Sequence, residues 1–227
     1  MLVRIRGAWF VAVGVVVAVV ATALLLVTRA GADTDRCTRF RDAADDRAGL
    51  VTGVGADLLV IGDSYSVGLG VGAAESWPTR LPGRVRVGGF SGSGFSRGAS
   101  PCGDVSYAAR AARDLPESEI VVVEGGLNDF DQPAAAVEDG FERLLARLDD
   151  RRVLVVGPAP APERAAAVPA VDALLADLAR EHGVGYLSMA EADLPYLDDG
   201  LHLTVEGHRQ FGDLVAGALS TARQPGR

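Results

Sequence analysis

Four separated stretches hold the residues able to do chemistry. Gly62-Asp63-Ser64 closes one short apolar run and Gly89-Phe90-Ser91-Gly92 closes another. Gly126-Leu127-Asn128-Asp129 follows a third, and Asp199-Gly200-Leu201-His202 precedes the last helical stretch. A hydroxyl nucleophile needs a base, a group that orients the base, and donors for an oxyanion. Ser64, on a sharp strand-to-helix turn, is the candidate hydroxyl. His202 is placed to take its proton through one ring nitrogen. Asp199, three residues earlier, is near enough within a turn to hold the other nitrogen and fix the tautomer. The oxyanion donors expected are the Ser64 N–H, the Gly92 N–H and the Asn128 side-chain amide. Glycine at 92 lets the backbone approach a substrate closely. Asn128 is the only asparagine in a 227-residue chain that has no lysine. A composition that keeps one asparagine, at a strand end, points to a need for its amide.

Each residue has a blander reading. Ser64 could cap the helix that follows, and Ser66 is the rival nucleophile. His182, in Glu181-His182-Gly183, reads as a helix C-terminus where the dipole favours it, and His208 falls inside the last helix. Asp63 and Asp129 read as acceptors that organise loops, and Asp198 is a substitute for Asp199. Gly89 or Gly94 could stand in for Gly92. Phe90 and Phe95 either line an acyl pocket or cover the core. Gly92-Ser93-Gly94 with Gly98 loosely follows a dinucleotide-binding loop, but Pro101 and Cys102 break the expected helix. A two-metal phosphoesterase on Asp63, Asn128 and His202 would need further Asp and His ligands, and none stands at the strand ends. No metal or cofactor is therefore expected.

In order and in kind, the four stretches resemble the consensus blocks of the GDSL/SGNH hydrolases, named for Ser, Gly, Asn and His. Each block alone is weak; together they span residues 57–222. The resemblance implies a flavodoxin-like sheet and hydrolysis of acyl esters or thioesters without a metal. It implies Ser64 as nucleophile, Gly92 and Asn128 as oxyanion donors, His202 as base and Asp199 as its partner. Two positions depart from the pattern: Tyr65 stands where Leu is common, and Leu203 where Pro often follows the histidine. An acyltransferase on the same fold, or an inactive membrane-tethered glycan-binding module, are the alternatives.

Such a constellation has to be carried on strand ends. Continuous apolar runs at 58–61, 85–87, 120–123, 153–156 and 184–187 fit buried parallel strands. Apolar spacings of three and four mark helices at 104–115, 134–149 and 168–181, and a last helix at 205–219 with Thr204 as N-cap. This alternation predicts an α/β fold, a three-layer α/β/α sandwich around a five-stranded parallel sheet, with sites beyond the carboxyl ends of its strands.

Residues 8–27 form an uncharged apolar run. At 1.5 Å per residue such a run reaches about 30 Å, the thickness of a bilayer core. Arg4 and Arg6 precede it, so the expectation is a single-pass anchor (residues 1–32) with the remaining chain outside the cytoplasm. Cleavage near Ala32 as a signal peptide is the alternative. Residues 33–56 read as a linker, with a short helix around 36–48, and 223–227 as a tail. Cys37 and Cys102, both in the exported part, are expected to pair in an oxidising compartment. Bridging them closes a loop of 65 residues (102 − 37), worth about 4 kcal/mol in a chain-entropy account. From Asp33 onward the charge is 19 − 30 = −11, which excludes nucleic acid as a natural partner. The expected substrate is an acylated small molecule, glycan or lipid.

Overall fold

Each of the five short apolar runs becomes a strand in this computed structural model, which describes residues 3–111, 118–148 and 151–221; for residues 3–14, 16, 17 and 23–30 only the backbone is described. The strands are β1 (Asp57–Gly62), β2 (Arg84–Gly89), β3 (Ile120–Glu124), β4 (Arg152–Val156) and β5 (Gly185–Leu187). They form one parallel sheet in the order β2-β1-β3-β4-β5. The helices are α1 (Val3–Gly49), α2 (Ser64–Val67), α3 (Tyr107–Ala111), α4 (Ala134–Leu148), α5 (Val168–Glu181) and α6 (Val205–Thr221).

Side chains alternate along a strand, so one run of hydrophobics serves two layers. In β1, Leu58 and Val60 join Trp77, Phe211 and Val215 on the α6 side. Leu59 and Ile61 join Tyr107, Phe141 and Leu175 on the side of α3, α4 and α5. The buried positions of α4 (Val137, Phe141, Leu144 and Leu148) recur at steps of four and three, one face of a helix. Thr204 caps α6 as expected: its hydroxyl accepts from Gly207 N–H at 3.1 Å. Helix α3 begins at Tyr107, later than the predicted start at 104, and residues 112–115 of the predicted helix lie outside the described residues, as does the tail 223–227.

The chain divides into two units, Met1–Arg39 and Phe40–Arg227. Residues 8–27 lie in α1, but most of their side chains are outside the described residues. Among the described residues no helix is long and apolar enough to cross a membrane. In the stretch expected as a linker, the helix foreseen around 36–48 is present as the last part of α1, which runs to Gly49. That stretch is rich in Ala, Arg and Asp and free of proline, so little interrupts a helix before the glycine. Within the second unit, Phe40 meets Phe90 edge-on at 6.3 Å. Arg47 is fully buried and donates to the Ser66 carbonyl at 3.2 Å. Burial lowers its pKa to about 10. Cys37 and Cys102 are both disulfide-bonded.

Order reverses between β1 and β3: β2 lies on one side of β1, and β3 with the later strands lies on the other. The carboxyl ends of β1 and β3 therefore diverge into a crevice, and Ser64 and Asn128 follow those two ends. A cavity of about 440 Å³ lined by Ala56, Asp57, Ser118, Glu119 and Arg151 sits at the opposite, amino ends of the strands.

Candidate active site

Ser64 opens α2 directly after β1. Asp63 is the N-cap, and its Oδ1 accepts the Tyr65 N–H at 3.0 Å, which turns the chain sharply from strand to helix. Ser64 is 7% exposed, and its hydroxyl makes no hydrogen bond among the described residues. Ser66, the rival nucleophile, is 0% exposed and donates to Glu124 Oε2 at 2.6 Å, so it is both hidden and engaged.

His202 and Asp199 form a tight local unit. The imidazole Nδ1 lies 2.6 Å from Asp199 Oδ2. Asp199 Oδ1 accepts the N–H groups of Leu201 and His202, each at 2.9 Å. Slight burial pushes the Asp199 carboxyl up, but these three hydrogen bonds outweigh it and hold the pKa at about 2. An ionised Asp199 on Nδ1 leaves Nε2 as the free acceptor. Asp198 is exposed and makes no side-chain hydrogen bond or ion pair among the described residues.

The histidine loop is tied to the serine turn by the residue next to each. Tyr65, almost wholly buried, donates its hydroxyl to the Leu201 carbonyl at 2.6 Å. Its ring stands 6.5 Å from that of His202, 5.9 Å from His208 and 6.0 Å from Phe211. No hydrogen bond joins Ser64 to His202 among the described residues; in unliganded sites such bonds commonly tighten only with substrate present. His208 is packed in the core, 1% exposed, and burial lowers its pKa to about 4. His182 is the C-cap of α5.

Gly92 adopts a left-handed conformation, φ 81°, which favours glycine. A Cβ there would meet nothing closer than Phe40 Cε2 at 3.7 Å, whereas one on Gly94 would strike Asp129 Oδ2 at 2.4 Å and one on Gly89 would reach Val67 Cγ2 at 2.8 Å. Packing therefore explains Gly89 and Gly94. The N–H groups of Ser64 and Gly92 donate to no acceptor among the described residues. Asn128 sits in the short turn Leu127–Asp129 after β3. Both its amide hydrogens are engaged, by Asp63 Oδ2 at 3.0 Å and the Ser93 carbonyl at 2.9 Å.

Asp129 organises the loop that carries Gly92, accepting the N–H groups of Phe95 and Ser96 at 2.9 Å each. Burial raises its pKa to about 6 against those bonds. Phe90 and Phe95 are buried, and Phe95 packs on Tyr107 and Phe141. Phe95 therefore covers the core, whereas Phe90 packs against Phe40.

Four polar residues escaped the sequence reading. In the sequence Tyr65 stands out only as a departure from the family pattern. Glu124, fully buried beneath the serine turn, has its pKa pushed well above the ordinary range by burial and then by the nearby Asp63 charge. Asp63 itself is raised to about 6 by burial, opposed by the Tyr65 N–H and the charges of His202, Arg164 and Arg110. Arg110 donates to the Gly62 carbonyl at 2.8 Å and to Ser93 Oγ at 3.0 Å, joining the serine turn to the Gly92 loop. Arg164 donates to Asn128 Oδ1 at 3.0 Å. In the sequence Glu124 is marked as the one acid ending a short apolar run, and Arg164 by its place beyond the end of β4. Among the described residues no group of His, Cys, Asp or Glu is placed to hold a metal ion.

Comparison with known proteins agrees with this layout. The model of the GDSL-like lipase/acylhydrolase family matches residues 60–210. No curated protein matches in sequence. Among solved structures, a carbohydrate acetylesterase from Sinorhizobium meliloti superposes with a TM-score of 0.60 at 20% identity, over 74% of this chain and 100% of that one. The aryl esterase of M. smegmatis superposes with a TM-score of 0.57 at 18% identity, over 74% and 99%. At such identities these likenesses speak for the fold. The family match covers most of the chain, including the serine turn, the Gly92 loop, Asn128 and His202, and this chain belongs to the GDSL-like lipase/acylhydrolase family.

Proposed function

We propose that the chain is an extracytoplasmic serine esterase that cleaves acyl esters of small molecules or envelope glycans through a Ser64–His202–Asp199 triad. The observation that carries this reading is the His202–Asp199 pair at 2.6 Å, anchored to the serine turn through Tyr65 and Leu201. Ser64 Oγ attacks the acyl carbonyl as His202 Nε2 takes its proton. The Ser64 and Gly92 N–H groups, with the Asn128 amide, meet the charge that forms on the carbonyl oxygen. Collapse of the tetrahedral intermediate expels the alcohol, protonated by His202. Water, deprotonated by His202, then attacks the acyl-enzyme, releases the acid and restores Ser64. The glycan preference rests on likeness to a carbohydrate acetylesterase and on the expected place at a cell surface.

That place rests on the apolar run at 8–27 behind Arg4 and Arg6 and on a bonded cysteine pair, which suits an oxidising compartment. The substrate test is turnover of p-nitrophenyl esters from C2 to C16. Ser64→Ala should abolish turnover without changing the melting temperature, with the wild type preferring short chains. Undiminished turnover in Ser64→Ala would overturn the mechanism, and a preference for long chains would redirect the substrate to lipids. Location is tested by protease treatment of intact cells: digestion of the catalytic domain supports the proposal, and protection contradicts it.

A further inference from the structure

Arg164 ends the short turn Pro162–Arg164, beyond β4 and outside all four sequence blocks. Its Nη1 donates both to the Leu127 carbonyl and to Asn128 Oδ1, the latter at 3.0 Å. Its guanidinium carbon lies 4.2 Å from the centre of the Phe130 ring, and Phe130 is 44% exposed. One cation therefore grips two residues of the turn that bears Asn128 and the ring that follows it.

The grip decides which way the amide faces. An asparagine side chain presents an acceptor on one edge and two donors on the other, and the two are nearly equal in shape. A guanidinium has no acceptor, so only Oδ1 can face Arg164. The NH2 group is thereby turned toward Asp63 Oδ2 and the Ser93 carbonyl. A flipped amide would set its hydrogens against a cation and its oxygen against a carboxylate and a carbonyl, losing all three bonds. The positive charge on Oδ1 also draws electron density across the amide, and a hydrogen bond on one side of such a group strengthens donation from the other.

We propose that Arg164 is a positioning residue for the oxyanion site: it fixes the orientation of the Asn128 amide and strengthens its N–H groups as donors to the carbonyl oxygen under attack. This rests on the reading of Asn128 as an oxyanion donor. The Ser93 carbonyl is a neutral acceptor in the loop of Gly92, and a developing alkoxide competes with it for the amide hydrogen it holds.

The sequence offers a direct probe. Asn128 is the only asparagine, so protein labelled with [15N]asparagine gives a single side-chain NH2 pair. In the wild type both hydrogens are bonded, and the pair should be well separated and slow to exchange with water. Arg164→Met should move the pair toward free-amide positions and speed its exchange. The same variant should lower kcat about 10- to 100-fold, the scale of one hydrogen bond to a charged group, with KM changed less than twofold. Arg164→Lys keeps the charge and should recover part of the loss. In an Asn128→Ala background, Arg164→Met should cost less than a further threefold. An unchanged kcat in Arg164→Met, or an equally large loss in the Asn128→Ala background, overturns the proposal. If Arg164→Met fails to fold, Arg164→Gln, which removes the charge, decides: a displaced NH2 pair with reduced kcat supports the role, and an unmoved pair with full kcat refutes it. If Asn128→Ala alone keeps full kcat, the oxyanion reading has failed and this role falls with it. A loss in Asn128→Ala beside an unaffected Arg164→Met indicts Arg164 alone.

Discussion

In the proposed triad, two side chains decide whether the imidazole is ready to act. Asp199 holds Nδ1 at 2.6 Å and two backbone N–H groups besides. Asp199→Asn presents an amide that can offer hydrogens to Nδ1 and stabilise the wrong tautomer, so kcat should fall roughly 10²- to 10⁴-fold while the fold persists; steady-state kinetics beside a circular dichroism melt would show it. Tyr65→Phe removes one hydroxyl and leaves the Leu201 carbonyl without its partner. The expected result is a loss of about 1 kcal/mol of stability and a kcat several-fold lower, read from the same two measurements; an unchanged kcat would confine Tyr65 to packing. At this scale the sequence was readable where chemistry demands fixed residue types at short spacing, as in Asp199 and His202. The partner of Tyr65 lies 136 residues away, and no local pattern encodes such a pair.

The elements were readable for a different reason. A buried parallel strand needs an unbroken apolar run, and each of the five runs became one. In the segment after the apolar N-terminal run the helix around 36–48 is legible but its continuity with α1 is not, because its charges resemble those of a linker while a helix needs only a face to bury. Arg47 and Phe40 supply that face. The loop carrying Gly92 has little regular structure and is held from outside by Asp129, on the turn after β3. Asp129→Ala leaves two buried N–H groups without acceptors. A loss of about 2 kcal/mol in urea unfolding is expected, together with a lower kcat as Gly92 loses its support. Wild-type stability in this variant would show that the loop is held by its packing.

Across the whole molecule, the buried acids set how stability follows pH. Burial raises Asp63 and Asp129 to about 6 and Glu124 well above its usual range. The folded chain keeps these protons while the unfolded chain releases them near pH 4, so the contribution is full below pH 4; that of Asp63 and Asp129 is lost as pH rises through about 6, and that of Glu124 as pH rises through its own raised value. His208, lowered to about 4, acts oppositely: its contribution is present above pH 6.5 and is lost as pH falls through 4. Three acids against one histidine predict a melting temperature that declines from pH 5 to pH 7. Glu124→Gln should make the decline shallower, and a rising curve would contradict this assignment of charge. The burial behind it follows from packing three layers around the sheet, which composition alone does not reveal.

The most direct test is covalent. A fluorophosphonate added to the purified protein should give one adduct by intact mass, mapped to the peptide bearing Ser64, absent from Ser64→Ala and slowed at least 100-fold in His202→Ala. No adduct, or one on any other residue, would contradict the assignment of Ser64 as the nucleophile.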